Sequence, residues 1–242
     1  MKLGSPATGA DFFGRTQELD DLWRYLEADH ISFPGVRRLG KTSILKRLQE
    51  QASDHGVLAQ WLDVSNIDNA QEFIALLDHT FPEKTIQRFI ADMGQRVTDW
   101  FSRVRKFNAT LPKEVGGGGF GIELDGAAAP AWKKVADTLH ERLRGQPLLI
   151  LIDEFPVMLS RLIQQNQHEA EQLLAWLRIW RQSRDCTTRF VFTGSIGLQS
   201  LLERHGLGTT MNDCYTYPLG PLQRAQAADL WRYFAPISDD IP

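Results

Sequence analysis

One nine-residue stretch has the residue types and spacing best suited to binding phosphate. It consists of a glycine, four variable residues, a second glycine, a lysine and two hydroxyl residues: Gly35, Val36, Arg37, Arg38, Leu39, Gly40, Lys41, Thr42 and Ser43. Glycines let backbone N–H groups turn inward around an anion. A lysine here would bring positive charge to the β and γ phosphates of a nucleotide, and a threonine hydroxyl would bind Mg²⁺. The stretch therefore predicts a nucleotide-phosphate site.

The alternative is a glycine-rich turn that precedes an amphipathic helix by chance. The context favours the phosphate loop, because residues 30–33 predict a strand just before it and a helix follows from about Lys41 to residue 51. Strand, loop and helix in this order are what the motif requires. The positive end of that helix dipole would also point at the bound phosphates.

Two carboxylates follow the most apolar stretch of the chain. Five apolar residues, 148–152, precede Asp153 and Glu154. Such a run predicts a strand buried on both faces, and ligands bind at the carboxyl ends of strands in open α/β sheets. We expect Asp153 to hold Mg²⁺, directly or through water, and Glu154 to orient or deprotonate an attacking water. Alone, the pair would be better explained as a surface turn, but the phosphate loop favours the catalytic interpretation.

A second apolar strand, predicted at residues 189–192, ends in Thr193, Gly194 and Ser195. A hydroxyl at the tip of a strand beside the Asp-Glu strand can reach the γ-phosphate or the attacking water. We predict this role for Ser195, with Thr193 as the second candidate. A strand end that simply caps the next turn is almost as well supported by these residues.

The remaining pattern alternates helices and strands. Thr16 is a predicted N-cap, and Ala227, Leu230, Trp231 and Phe234 are predicted to face inward on the last helix. Predicted helices cover 16–27, 69–81, 84–107, 131–144, 169–181 and 223–234, and the other predicted strands cover 56–63 and 214–219. The arginine-rich face of the helix predicted at 84–107 is interpreted as a solvated surface in preference to a contact with phosphates or an acidic partner. Four glycines at 116–119 predict a flexible hairpin or linker, since no lysine and hydroxyl pair follows them.

Bulk properties exclude several classes of protein. The chain has 242 residues and a net charge of −3, so it shows no generally basic surface for nucleic acid. Its two cysteines, Cys186 and Cys214, are too few and too far apart for a disulfide framework or a zinc site. No apolar run is long enough to span a membrane, and residues 1–9 lack the apolar core of a signal peptide. We expect a cytoplasmic protein.

In chain order these motifs resemble those of the AAA+-related ATPases, particularly the archaeal-type ATPases close to the STAND signalling ATPases and the origin-recognition initiators. The residues that carry the resemblance are Phe13, Gly14 and Arg15 with Glu18 and Leu19, then 35–43 (Walker A), 149–155 (Walker B), 192–195 (the sensor 1 strand) and 217–222. The Walker motifs occur in many P-loop proteins, so the specific feature is the ordered set.

The resemblance implies a three-layer α/β P-loop fold with a parallel sheet in the order 5-1-4-3-2, and ATP or ADP with Mg²⁺ as ligands. It places Phe13, Gly14 or Arg15 near the adenine. It divides the chain into a flexible N-terminus (1–10), a core (11–220) with an inserted helix and hairpin at about 84–128, and an incomplete helical lid (221–242). Relatives often use an arginine of a neighbouring subunit at the phosphates; the candidates are Arg181, Arg184, Arg189 and Arg204.

Three functions fit these residues to different degrees. The first is an ATP-hydrolysing switch that acts on a protein or DNA partner, supported by Glu154 directly after Asp153. The second is a non-hydrolysing nucleotide-binding module for assembly or DNA-associated regulation, supported by the short lid. A small-molecule kinase fits less well, because no second carboxylate or arginine-rich lid is evidently placed for an acceptor. Self-association or a protein partner is expected, whereas DNA binding stays open.

Overall fold

Five parallel strands form a single sheet in the computed structural model, which describes residue 9 and residues 12–110, 130–183 and 186–234. The strands are β1 (His30–Pro34), β2 (Leu58–Asp63), β3 (Leu148–Asp153), β4 (Arg189–Gly194) and β5 (Cys214–Thr216). Their order is β2-β3-β4-β1-β5, and every neighbouring pair is parallel. Counted from the other edge this is 5-1-4-3-2, so the predicted fold is confirmed.

Helices cover both faces of this sheet. They are α1 (Thr16–Leu26), α2 (Lys41–Gln51), α3 (Ala70–Thr80), α4 (Glu83–Met93), α5 (Gln95–Thr110), α6 (Ala131–Leu143), α7 (Phe155–Gln182), α8 (Leu198–Arg204) and α9 (Arg224–Phe234). Leu149 and Leu151 of β3 pack with α1, α2 and α5, whereas Ile150 and Ile152 pack with α3, α6, α7 and α8. The two cores follow from the alternation of side chains along a strand. We call the two sides the α2 face and the α7 face.

Three predictions about the helices are wrong. The segment predicted as one helix at 84–107 is broken between α4 and α5 by Gly94, whose φ of +40° favours glycine. Thr16 is the first residue of α1 and not its N-cap; the N-cap is Arg15, which makes no capping hydrogen bond. Neither α8 nor the first half of α7 was predicted. Asn166 is non-helical, with φ of −157°, so the helix predicted at 169–181 corresponds to the part of α7 after this kink.

The last helix also differs from its prediction. Trp231 is 70% exposed and Ala227 is exposed, while Leu230 is only partly buried. Gln226 of α9 approaches the N-terminal turn at Gly14, and none of the described α9 side chains belongs to either core. The side chain of Phe234 lies outside the described part of the chain. Arg184 and the hairpin predicted at 116–119 lie outside it as well.

Two arginines of the predicted polar face on α5 make ion pairs at the surface. Arg96 pairs with Asp54, and Arg103 pairs with Glu27. The side chains of Arg105 and Lys106 lie outside the described part of the chain. Within the described ranges, no helix has both the length and the apolar character needed to cross a membrane.

Candidate functional site

The predicted phosphate loop leaves β1 at the carboxyl edge of the sheet and enters α2 at Lys41. Its two glycines are required for different reasons. A Cβ at Gly35 would lie 3.3 Å from Leu219 Cβ and 3.4 Å from Lys41 Cδ, so the first glycine is needed for space. Gly40 has φ of +88°, a left-handed angle, so the second is needed for its backbone conformation. Val36, Arg37 and Arg38 are exposed, and Arg38 also has a positive φ.

Lys41 lies across the inside of this loop. Its ammonium group donates to the carbonyl oxygens of Gly35, at 2.7 Å, and Val36, at 2.9 Å. Burial lowers the pKa of Lys41, and the nearby carboxylates of Glu154 and Asp153 oppose that shift. The ammonium group is thus already directed at the space that the loop encloses.

Thr42 and Asp153 meet where α2 begins and β3 ends. The Thr42 hydroxyl donates to Asp153 Oδ2 at 2.6 Å, and the Glu154 N–H donates to Oδ1 at 3.1 Å. Burial raises the pKa of Asp153, the Thr42 hydrogen bond opposes the shift, and the negative charge of Glu154 adds to it. Within the described ranges this buried carboxylate lies beside a hydroxyl and forms no ion pair, an environment that suits a hard divalent ion, which prefers oxygen ligands. These donors therefore fit Mg²⁺.

Glu154 is fixed by Ser195. Oε2 of Glu154 accepts hydrogen bonds from the backbone N–H of Ser195, at 3.2 Å, and from its hydroxyl, at 3.1 Å. Glu154 has a φ of +58° as it turns from β3 into α7. Gly194 makes the contact possible, because a Cβ there would lie 2.5 Å from Pro156 Cδ. The sequence analysis did not predict this contact between Ser195 and Glu154.

The two hydroxyl residues at the tip of β4 have different environments. Ser195 Oγ also accepts a long hydrogen bond, 3.5 Å, from Arg37 Nε of the phosphate loop. Thr193 is 1% exposed, and its hydroxyl has no partner among the described residues. Ile152 and Phe192 are paired, and Asp153 and Thr193 are the next residues of their strands. Both therefore lie on the α2 face. Both candidates therefore remain at the site, Ser195 on Glu154 and Thr193 beside the loop.

Sequence reasoning missed Asp63. It ends β2 and pairs in register with Asp153, which places a second strand-end carboxylate at the same edge. The Asp63 charge contributes to raising the pKa of Asp153. The signal was present in the sequence, because both predicted strands end in aspartate, but strand adjacency was needed to use it.

The predicted N-terminal motif reaches the phosphate loop through Arg15. This side chain is buried, and its guanidinium donates to the carbonyl oxygens of Gly220, at 2.8 Å, and Leu39, at 3.4 Å. Phe12 is partly buried and packs on the core of the α2 face. Gly14, directly before Arg15, has a φ of +65°, and Phe13 is partly buried.

Two of the four arginines considered for a neighbouring subunit's site are structural. The Arg181 side chain is fully buried and forms a two-point ion pair with Asp213. Arg189 is 2% exposed and donates to backbone carbonyls at the end of α1. Arg204 is exposed on α8.

No protein-family model matches the chain, and no curated protein matches it in sequence. Solved structures do match. The Walker-type ATPase of Pyrococcus abyssi aligns with 100% of this chain and 63% of its own, at 18% identity and a TM-score of 0.58. ORC2 of Aeropyrum pernix, in its ADPNP–ADP complexes, aligns over 100% of this chain and 57% of its own, at 17% identity and a TM-score of 0.57. The fold is that of the archaeal Walker-type and ORC ATPases.

A third match, ORC1 of Aeropyrum pernix in complex with DNA, covers 93% of this chain and 50% of that protein, at 16% identity and a TM-score of 0.53. The chain therefore spans between half and two thirds of these proteins. The resemblance inferred from the motifs is confirmed in the fold. At such identities the likeness concerns the fold alone, so activity and partners rest on the residues of this chain.

Proposed function

We propose that this chain binds ATP with Mg²⁺ and hydrolyses it, as a molecular switch. The observation that carries the proposal is the contact of Thr42 with Asp153 at 2.6 Å, between the loop that holds Lys41 and the strand end that holds Glu154. A hydroxyl, a carboxylate, a lysine and a second carboxylate thereby meet at one edge of the sheet. This set is what phosphoryl transfer to water requires.

Each group has a role in the proposed reaction. The N–H groups of the loop at 35–43 bind the phosphates, and Lys41 exchanges the Gly35 and Val36 carbonyls for phosphate oxygens. Thr42 and Asp153 hold Mg²⁺, which when bound neutralises charge on the β and γ phosphates. Glu154 orients the attacking water and takes its proton as the new P–O bond forms and the bond to the ADP oxygen breaks. Ser195 keeps the carboxylate of Glu154 in place.

The adenine is proposed to lie at the N-terminal turn of Phe13, Gly14 and Arg15, which adjoins the loop at Leu39. The switch would transmit the difference between the ATP and ADP states to a protein partner, a second copy or DNA. Exposed α9, which leaves the core beside this turn, is the element placed to transmit it. A STAND-like role in the cytoplasm belongs to the same proposal.

A non-hydrolysing nucleotide-binding module is the second candidate. The observation in its favour is that Oε2 of Glu154 already accepts two hydrogen bonds from Ser195. If that contact persists with ATP bound, Oε2 is less basic and Oε1 is left as the oxygen that would accept a proton from water.

A kinase is the third candidate. Asp63 beside Asp153 adds a second carboxylate that could bind an acceptor substrate. Phosphate transfer that depends on an added acceptor would therefore indicate a kinase.

Phosphate release from Mg-ATP tests the proposal, with nucleotide binding recorded in the same samples. We expect turnover by the unmodified chain, and binding without turnover by Glu154→Gln. The matched control is Glu141→Gln, on the exposed surface of α6, which should behave as the unmodified chain does. Binding without turnover by all three proteins would replace the hydrolase with the binding module. Equal turnover by Glu154→Gln would contradict the assigned base.

A further inference from the structure

One buried guanidinium joins three separate segments of the chain. Arg15 forms an ion pair with Glu18 of α1 at 2.6 Å, and it donates to Leu39 O in the phosphate loop and to Gly220 O in the segment before α9. The Arg15 side chain is only 6% exposed. Most of its donor capacity is therefore directed at protein groups, although the resemblance places Phe13, Gly14 or Arg15 near the adenine.

The segment before α9 lies directly against the phosphate loop. Tyr217 N–H donates to Ser32 O at 2.9 Å, and Leu219 N–H donates to Pro34 O at 3.1 Å, so the chain continues along β1 past the end of β5. Leu219 is the nearest neighbour of a Cβ placed at Gly35, at 3.3 Å. A change in the path of this segment must therefore alter the wall of the loop.

The turn before Arg15 contacts α9 itself. A Cβ at Gly14 would lie 3.1 Å from Leu222 Cδ2 and 3.6 Å from Gln226 Cβ, and Gly14 has a φ of +65°. By contrast, Ala227 and Trp231 of α9 are exposed. The first turn of α9 therefore lies close to Gly14.

We infer that Arg15 is a positioning residue that couples the phosphate loop to α9. The inference rests on the nucleotide binding proposed above. Phosphate that orders the loop fixes Leu39 O, Leu39 O orients the Arg15 guanidinium, and the guanidinium fixes Gly220 O and the start of α9. Because coupling between two sites is reciprocal, loosening α9 also weakens nucleotide binding. The occupancy of the loop is thereby communicated to α9.

The arrangement requires arginine in particular. The planar guanidinium presents several N–H donors in fixed directions, and here they reach a carboxylate and two carbonyls on different elements. A lysine would keep the charge near Glu18, but its single ammonium group cannot hold the two carbonyls in the same directions. Arg15→Lys therefore removes the contacts with the two carbonyls while it keeps the positive charge beside Glu18.

Limited trypsin digestion reports the state of α9, because Arg224 and Arg232 are exposed on it. Digestion is run with and without saturating Mg-ADP, whose affinity is measured in parallel. In the unmodified chain we expect Mg-ADP to slow cleavage at Arg224 about fivefold or more, the lower range of ordinary coupling factors. In Arg15→Lys we expect the protection to fall below about twofold, with a comparable loss of ADP affinity.

Two further variants separate coupling from a general loss of structure. Arg24→Lys, at an exposed arginine of α1 paired with Asp21, is the matched control and should keep full protection. Gly14→Ala places a Cβ 3.1 Å from Leu222 Cδ2 and should displace Leu222. It should therefore reduce the protection of α9 by ADP although Arg15 is intact. Thermal unfolding of each variant identifies those that are merely unfolded.

The possible results differ clearly. Full protection of Arg15→Lys at saturating ADP, with weakened affinity alone, would mean that Arg15 contacts the nucleotide directly, and the inference would be wrong. The inference would also be wrong if Arg15→Lys and Gly14→Ala lost stability while ADP protected α9 as before. Absence of ADP binding by the unmodified, folded chain would overturn the proposed function itself, and the coupling with it.

Discussion

The hydroxyl of Thr42 lies 2.6 Å from the carboxylate of Asp153, although 111 residues separate them in the sequence. The contact is set by the core, because Ile44 and Leu45 of α2 pack on the same face of the sheet as Leu149 and Leu151 of β3. Burial of those side chains places the first turn of α2 over the carboxyl end of β3. Burial of the charged Asp153 carboxylate lowers the stability of the nucleotide-free protein. A bound cation would offset this loss of stability.

Replacing Asp153 with asparagine should stabilise the nucleotide-free protein at neutral pH. Burial raises the pKa of Asp153, so the folded state holds this proton more tightly than the unfolded state does. The stability that this group contributes is therefore present at low pH and is lost as pH rises from the ordinary aspartate range through the raised pKa. We expect Asp153→Asn to remove that slope and to raise Tm by a few degrees at pH 7, measured by thermal unfolding from pH 4 to 8.

The same variant should lose the stabilisation that Mg²⁺ adds in the presence of ADP. Asp63→Asn is the matched control, because Asp63 is an exposed strand-end aspartate beside Asp153. It should keep most of the Mg²⁺ effect. A lower Tm for nucleotide-free Asp153→Asn at pH 7 would show that the carboxylate stabilises the fold and would contradict this account.

Removing the hydroxyl of Ser195 should affect the rate more than the affinity. Ser195→Ala removes one of the two donors to Glu154 Oε2, while the backbone N–H remains. If Ser195 positions the base, we expect phosphate release to fall about 10-fold, a part of the 10²- to 10⁴-fold effect of general bases. The Kd for ATP should change less than about threefold, since the phosphate loop is untouched.

Ser102→Ala, on the exposed side of α5, is the control for this substitution and should leave turnover unchanged. Combining Ser195→Ala with Glu154→Gln should add little to Glu154→Gln alone, because the two side chains act as a unit. Turnover that rises in Ser195→Ala would show instead that the serine restrains the carboxylate.

Two glycine substitutions separate the cost to the backbone from the effect on the loop. Gly40 and Gly206 both have a positive φ, +88° and +73°, and neither has an atom within 4 Å of an added Cβ. Alanine at either position should therefore lower the free energy of unfolding by about 1 kcal/mol, through backbone strain alone. Only Gly40→Ala should weaken nucleotide binding, by about tenfold, which corresponds to about 1.4 kcal/mol.

Denaturant unfolding and ADP titration of both glycine variants check this expectation. Equal affinities of the two variants for ADP, with equal losses of stability, would show that Gly40 is not part of the nucleotide-binding loop. An unchanged stability in both would contradict the left-handed angles themselves.

The buried ion pair of Arg181 with Asp213 should matter for stability and not for turnover. Arg181→Met leaves Asp213 without its partner, and breaking such a pair typically costs about 3–5 kcal/mol. Arg204→Met, at an exposed arginine, should stay within about 0.5 kcal/mol of the unmodified chain. Urea unfolding gives both values. Equal stabilities of the two variants would show that the Arg181 pair does not support the fold.

The sequence was sufficient for those parts of the site that local rules determine. The roles proposed for Lys41 and Thr42 follow from one nine-residue pattern, and Asp153 and Glu154 follow from the apolar strand before them. The order of the strands, by contrast, was implied by the resemblance of the ordered motifs to a known family, and the structure has that order. The inferences about the four site residues need only neighbours along the chain.

Contacts between distant loops were not predictable in the same way. Arg15 donates to Gly220 across 205 residues, and Glu154 accepts from Ser195 across 41. Both contacts depend on the path of turns whose direction no periodic pattern fixes. The apolar spacing of α9 likewise predicted a buried side without identifying a neighbour, and in the structure Trp231 is exposed. Amphipathic spacing shows which side chains share a face, but not whether that face is covered.

Nucleotide binding by the phosphate loop is the central claim, and titration calorimetry with Mg-ATP and Mg-ADP tests it most directly. The unmodified chain is compared with Lys41→Ala and with Lys84→Ala, an exposed lysine of α4. We expect binding at one site per chain by the unmodified protein and by Lys84→Ala, and a loss of at least about 10-fold in Lys41→Ala, or about 1.4 kcal/mol. No binding by the unmodified folded chain, or equal binding by Lys41→Ala, would contradict the assignment of residues 35–43 as the nucleotide site.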